Sequence, residues 1–117
     1  MSGDTPRPGR PVRGSATGRP IMALFDLLGR TWAMGIVWQL ADGPQTFRGL
    51  QGRCDQVSAS LLNRRLKELR DTGLVGRSEG GYVLTELGEE LAALLKPMGS
   101  WSQRWAEALR ESEDSPA

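Results

Sequence analysis

The stretch SASLLNRRLKELRDTGLV, residues 58–75, decides how the rest of the chain is read. Leu62, Leu66 and Leu69 recur at helical spacing, with Leu61 at the border of their stripe. At 100° per residue Ser60, Asn63, Arg64, Lys67 and Arg70 fall on the opposite side. A basic amphipathic helix, taken alone, is most simply a solvated face. Arg65 breaks the pattern because it falls on the apolar side between Leu61 and Leu69. It has two open roles, pairing with an acid such as Glu68 or snorkelling out to a phosphate.

The neighbours change the balance. Upstream, TFRGLQGRC (residues 46–54) predicts a short helix capped by Thr46 with Phe47 and Leu50 turned inward. CDQVS then makes a brief turn into Ser58, which is placed to cap a long helix over residues 58–72. Downstream, Gly73 ends that helix, and LVGRS and YVLT are two short β-type runs joined by EGG. Short helix, tight turn, longer helix with an outward polar face, then hairpin is the order of a winged helix-turn-helix. The expected fold class is mainly α with a small β-hairpin wing over residues 74–85.

The remaining segments are dense in helix signals. PIMALFDLLG (residues 20–29) opens with proline and closes with glycine, with Leu24, Leu27 and Leu28 as its apolar stripe. In RTWAMGIVWQLADGP (residues 30–44) Thr31 is the expected N-cap, and Trp32, Ile36, Val37 and Leu40 face inward before Asp42-Gly43-Pro44 stops the helix. Thr85 begins ELGEELAALLK with a capping-box-like partner at Gly88-Glu89; Pro97 punctuates it, and MGSWSQRWAEALRE (residues 98–111) follows as a separate amphipathic helix. Residues 1–19 are rich in Pro, Gly and Arg and predict a disordered arm; residues 111–117 predict a disordered tail. The domain proper spans residues 20–110, and no internal repeat is present.

With 117 residues, 38% hydrophobic and 25% charged, the chain has the composition of one ordinary globular domain. No apolar run approaches the ~20 residues of a membrane span, and the N-terminus lacks the apolar stretch of a signal peptide. A single cysteine, Cys54, cannot form an internal disulfide, and the expected compartment is the cytoplasm. Net charge is only +1, yet residues 46–77 hold seven basic side chains against three acids. Histidines, cysteine pairs and glycine-rich phosphate loops are absent, so an enzyme, a metal site and a bound cofactor are not expected.

The constellation points to double-stranded DNA. A helix reads the major groove when its outer side chains can reach phosphates and base edges while the core holds its inner face. Asn63 suits an adenine edge and Arg64 a guanine edge, with Lys67 as the third proposed reader. Ser58 and Ser60 lie at the leading end of the same helix, and Arg48, Arg70 and Arg77 are proposed phosphate anchors. The arginines of residues 7–19 add expected non-specific affinity.

ALFDLLGRTW, LADGPQTFRGLQ, LLNRRLKELRDTGLV and YVLTELGEEL, in that order, resemble successive motifs of the HxlR-type transcriptional regulators, winged-helix proteins related to the MarR group. The resemblance covers about residues 19–110. It implies a bacterial homodimer on an inverted-repeat operator, with a dimer interface built from the first and last helices. Mapped onto this chain, that interface takes in Met22, Phe25 and Leu28 and, from the other end, Met98, Trp101, Trp105 and Leu109. The chain departs from the family pattern at Arg19, where many members carry a redox-sensing cysteine before the proline, and in its minimal wing turn RSEGG.

Four tryptophans accompany one tyrosine and two phenylalanines. Trp101 and Trp105, one turn apart, would supply a large apolar area to a helix of a second copy. Trp38 stands one turn after Gly35, which leaves an expected gap beside it; Met34, Gly35 and Trp38 are therefore a candidate pocket for a small apolar effector, with Met22 and Met98 nearby. Cys54, in the turn before the long helix, is expected to be a passive, partly buried thiol rather than a redox switch. The competing function class is a winged-helix protein-interaction module that has lost DNA binding, favoured by the short wing and near-neutral charge.

Overall fold

A computed structural model describes residues 5–114. Its elements are α1 (Pro20–Leu28), α2 (Ala33–Leu40), α3 (Phe47–Arg53), α4 (Ala59–Asp71), β1 (Val75–Ser78), β2 (Gly81–Leu84) and α5 (Glu86–Asp114). The fold is mainly helical with one antiparallel hairpin, as expected, and the long basic helix is α4. Leu62, Leu66 and Leu69 are buried with Ile36, Val37 and Leu40 of α2 and Leu50 of α3. Each such side chain contributes about 1.5–3 kcal/mol by leaving water, so the leucine stripe of α4 holds its opposite face outward.

Local capping follows the sequence closely. Thr46 Oγ1 accepts from Gly49 N at 2.9 Å, Ser58 Oγ accepts from Leu61 N at 3.2 Å, and Thr85 Oγ1 accepts from Gly88 N at 3.1 Å. Each cap satisfies one of the N–H groups that a helix start leaves unpaired. The hairpin pairs Val75 with Leu84 and Ser78 with Gly81, leaving a two-residue turn. Gln45 adds a further bridge to it, exchanging backbone hydrogen bonds with Tyr82 at 3.0 and 2.8 Å. Gly81 is required there: its φ is +128°, and a Cβ would run into the Gln45 carbonyl.

Four expectations about the elements need correction. Thr31 does not cap α2: Trp32 is the N-cap residue, left-handed at φ 70°, with no side-chain cap. A tight turn from Ala33 N to Arg30 O, 3.0 Å, closes the corner instead. Pro97 does not divide the last helix, and α5 runs unbroken for 29 residues. Pro97 and Ala93, whose carbonyl the proline deprives of its usual helical donor, are both exposed, where solvent can offset the lost bond.

The helix also continues through residues 111–114, expected as tail; residues 115–117 lie outside the described part, as do 1–4 of the expected arm. Residues 5–19, for their part, form a closed loop. Gly9 N donates to Gly18 O at 2.9 Å, and Val12 and Ser15 exchange bonds at 2.9 and 3.0 Å. Gly18 makes that approach possible, since its φ is +73° and a Cβ would overlap the Arg10 backbone. Arg7 Nη2 donates to Asp71 O at 2.6 Å, and Arg13 N donates to Asp26 Oδ2 at 3.1 Å, so the loop is tied to both α4 and α1.

Candidate nucleic-acid interface

The turn between α3 and α4 aims the outer face of α4. Asp55 and Gln56 both adopt φ of 57°, a left-handed pair that reverses the chain within a few residues. Gln56 N donates to Gln51 O at 2.8 Å, and Gln51 Nε2 donates to Val57 O at 2.9 Å, locking the turn. Nothing in the sequence pattern singled out Gln51, whose signal is only an amide six residues before the carbonyl it needs. Cys54 is fully buried in this turn, and desolvation pushes its thiol pKa up. A thiol so placed is poorly ionised and poorly accessible, in keeping with a passive role.

From that start, Ser58, Ser60, Asn63, Arg64, Lys67 and Arg70 are all exposed along α4. Ser58 has its hydroxyl oxygen engaged as the cap, leaving its O–H as a donor. Asn63, Lys67 and Arg70 line one open cleft with Arg77 and Tyr82 of the hairpin. Arg77 lies over the Tyr82 ring, 5.1 Å from its centroid, which holds the guanidinium against the wing while its edge stays free to donate. Glu79, at the wing tip, borders the adjoining part of this cleft and opposes a phosphate there. Arg64 and Arg48 are exposed outside the cleft.

Ion pairing sorts the basic residues further. Lys67 Nζ meets Asp71 Oδ2 at 2.9 Å, and Arg53 Nη1 meets Asp42 Oδ2 at 3.2 Å. Exposed pairs of this kind are worth about 0–1 kcal/mol, so Lys67 can exchange its partner for a phosphate or base at little cost. Arg48, Arg64 and Arg70 form no ion pair among the described residues. Arg65 is committed inward, donating to Glu68 Oε1 and to Thr31 O. Its place among the leucines is therefore structural, and it is no part of the outer face.

The residues assigned to a dimer surface divide. Phe25, Met98, Trp101, Trp105 and Leu109 are about half exposed, and Met22 is partly buried. Leu28 is 8% exposed and belongs to the core cluster, so it is already used within the chain. Trp101 and Trp105 stack on each other, with ring centroids 6.2 Å apart and planes 8° apart. The last buried residue of α5 is Leu95, so the following 19 residues, about 28 Å of helix, pass beyond the core.

The expected gap beside Trp38 has a different origin. The space left by Gly35 is taken by the Trp32 ring, 2.9 Å from where a Cβ would stand. Trp38 instead packs its ring edge on Gly99 and borders a small pocket of about 80 Å³ with Ala41, Asp42, Ala92 and Lys96. That is well under the ~300 Å³ of ordinary ligand sites, and Met34 and Gly35 are not among its walls. A larger groove of about 270 Å³ adjoins it, sharing Ala41, Ala92 and Lys96 and reaching Val83 of the wing. Among the described residues no cluster of acidic, cysteine or histidine side chains could hold a metal ion, and no single helix is long and apolar enough to cross a membrane.

The pattern of the HxlR-like helix-turn-helix family matches residues 27–110. A helix-turn-helix-type transcriptional regulator from Methanocaldococcus jannaschii is 29% identical over 91 residues, 74% of this chain and 86% of that protein. The transcriptional regulator YodB from Bacillus subtilis is 33% identical over 90 residues, 71% of this chain and 80% of YodB. The crystal structure of quinone-bound YodB superposes with a TM-score of 0.65 at 34% identity, covering 72% of this chain and 96% of that one. A possible HxlR family transcriptional factor from Thermoplasma volcanium superposes with a TM-score of 0.66 at 31% identity, covering 75% and 85%.

Proposed function

Because the chain belongs to the HxlR-like helix-turn-helix family of transcriptional regulators, we propose that it binds an inverted-repeat operator as a homodimer in the bacterial cytoplasm, without catalysis. Each subunit lays α4 in a major groove, and the two grooves lie about 34 Å apart on one side of the duplex. The observation that carries this reading is the outer face of α4: six polar side chains stand exposed while the leucines behind them are locked in the core. Asn63, Arg64 and Lys67 read bases, and Arg48, Arg70 and Arg77 hold phosphates. The second copy is called for by α5, where Leu94, Met98, Trp101, Trp105 and Leu109 form an exposed apolar stripe at 3–4-residue spacing on a helix that has outrun its own core.

Mobility shifts on duplex from upstream of the protein's own gene, at several salt concentrations, test the DNA reading. A discrete complex with a steep salt dependence is expected; no complex at low salt would favour the protein-interaction alternative. Sedimentation equilibrium tests the dimer, and a monomer at micromolar concentration would remove it.

Quinone-bound YodB favours one addition, a response to a small apolar molecule. In this chain Cys54 is buried and its thiol is kept protonated, so the response we infer is non-covalent, in the groove between α2, α5 and the wing. Quenching of Trp38 fluorescence by added quinone, lost on Trp38→Phe, is the expected sign.

A further inference from the structure

The internal contacts of Arg65 tie the reading helix to the corner between α1 and α2. Its Nη1 donates to Glu68 Oε1 at 3.0 Å, one turn along α4, and its Nε donates to Thr31 O at 2.8 Å. The other carboxylate oxygen of Glu68 accepts from Arg30 Nη1 at 2.6 Å. The Arg65 side chain is 11% exposed and that of Glu68 8%, so their bond is largely interior, whereas Arg30 is 26% exposed and the Thr31 carbonyl is held at the surface. Two of the three cross between elements, and both end on residues 30–31.

At that corner α1 and α2 meet at 87°. Trp32 turns the chain there in a left-handed conformation that a tryptophan keeps only where its surroundings over-determine it. The carbonyl directly before Trp32 is the one that Arg65 holds. On the far side of the corner α1 presents exposed Ile21 and Phe25, on the face assigned above to the second subunit. The corner is thus the joint between a dimer face and a reading helix. Leucine packing sets which face of α4 points outward, and a planar guanidinium bonded in two directions adds a directional tie between α4 and the corner.

We propose that Arg65 and Glu68, acting with Arg30 and the Thr31 carbonyl, are positioning residues that fix the angle between α1 and α4 and so set the half-site spacing the dimer accepts. The inference rests on the homodimer reading above. Each added base pair moves a half-site by about 3.4 Å and turns it by about 35° around the duplex, so a rigid joint admits one spacing and a loosened joint admits several. None of these groups lies on the exposed polar face, so base preference within a half-site is left to Asn63, Arg64 and Lys67.

The test is selection of bound duplex from a random-sequence library by the full chain and its Arg65→Met and Arg65→Lys variants, at a temperature where circular dichroism shows all of them helical. Arg65→Met keeps the apolar stem and leaves Glu68 its bond from Arg30. The wild type is expected to select one spacing and to discriminate against its neighbours by about tenfold or more. Arg65→Met should select the same half-site at several spacings with that preference largely gone, and Arg65→Lys, which keeps the bond to Glu68 without the fork, should recover part of it. A folded Arg65→Met variant with wild-type spacing preference would overturn the proposal. Should that variant not fold, Glu68→Gln is read by the same criterion. A wild-type chain that selects no repeated half-site would instead refute the operator reading on which the proposal stands.

Discussion

Replacing Glu68 by leucine is expected to destabilise the fold by about 2–4 kcal/mol. The carboxylate lies between two guanidinium groups, 2.6 Å from Arg30 Nη1 and 3.0 Å from Arg65 Nη1. Without it those two guanidinium groups lose their shared counter-ion. Even at about 8 Å, the widest separation these contacts permit, the repulsion is about 2 kcal/mol at an effective dielectric of ~20. Stripping one partner from a buried pair commonly costs about 3–5 kcal/mol. The Arg30 side chain, 26% exposed, can turn towards water, which lowers the upper end of that range.

Urea unfolding followed by circular dichroism, at fixed protomer concentration, reads the loss directly. The accompanying fall in melting temperature should be roughly 10–25 °C. Adding Arg65→Met to Glu68→Leu removes one of the two guanidinium charges and should restore about half of the loss, a coupling of at least ~1 kcal/mol. A loss under about 0.5 kcal/mol, or strict additivity of the two changes, would refute the electrostatic account of this cluster.

Four further measurements have expected outcomes. Arg64→Ala should relax base preference at one operator position, while Arg77→Ala should weaken binding to all sequences and reduce the salt slope by about 1; gel shifts across a salt series separate the two. Gln56→Gly should stabilise the α3–α4 turn by up to about 1 kcal/mol, because the left-handed penalty relieved exceeds the added chain entropy, and urea midpoints measure it. Gly81→Ala should cost about 1–3 kcal/mol and open the Gln45–Tyr82 bridge, visible as faster amide exchange at Tyr82. Burial raises the folded-state pKa of Cys54, so its effect on stability is absent below the ordinary thiol range. As pH rises through that range the unfolded thiol ionises first, and stability should decline towards the folded-state pKa; Cys54→Ala should remove that part of the alkaline decline.

The energetics of the proposed reading face come from its reverse side. Asn63, Arg64, Lys67 and Arg70 contribute little to folding where they stand, since none is buried and the one ion pair among them, Lys67–Asp71, is at the surface. Their orientation is set by Leu62, Leu66 and Leu69 and by the turn that Gln51 closes. Changes on the outer face can therefore alter recognition with small effects on the fold, whereas changes on the inner face act on the fold first.

What the sequence determined by itself was three helix caps, the hairpin turn and the two faces of α4, all governed by near neighbours along the chain. The caps at Thr46, Ser58 and Thr85 are each satisfied by an N–H three residues on, and the hairpin closes through two residues. Periodicity likewise told the buried leucines of α4 from its exposed basic side, because a helical period reports which face is apolar. It does not report which neighbour fills a given space.

Tertiary structure alone decided that Arg65 bonds a carbonyl 34 residues earlier, and that Arg30 reaches Glu68 across 38 residues. Trp38 found room at Gly99, a residue on another helix. Leu28 joined the core rather than the surface, and loop 5–19 closed against α1 and α4. Pro97 stayed inside a helix because it and Ala93, whose carbonyl loses its usual donor, both lie at the surface, a fact of exposure rather than of local propensity. Each of these outcomes depends on groups distant in the chain or on access to solvent, and both are settled only when the elements pack.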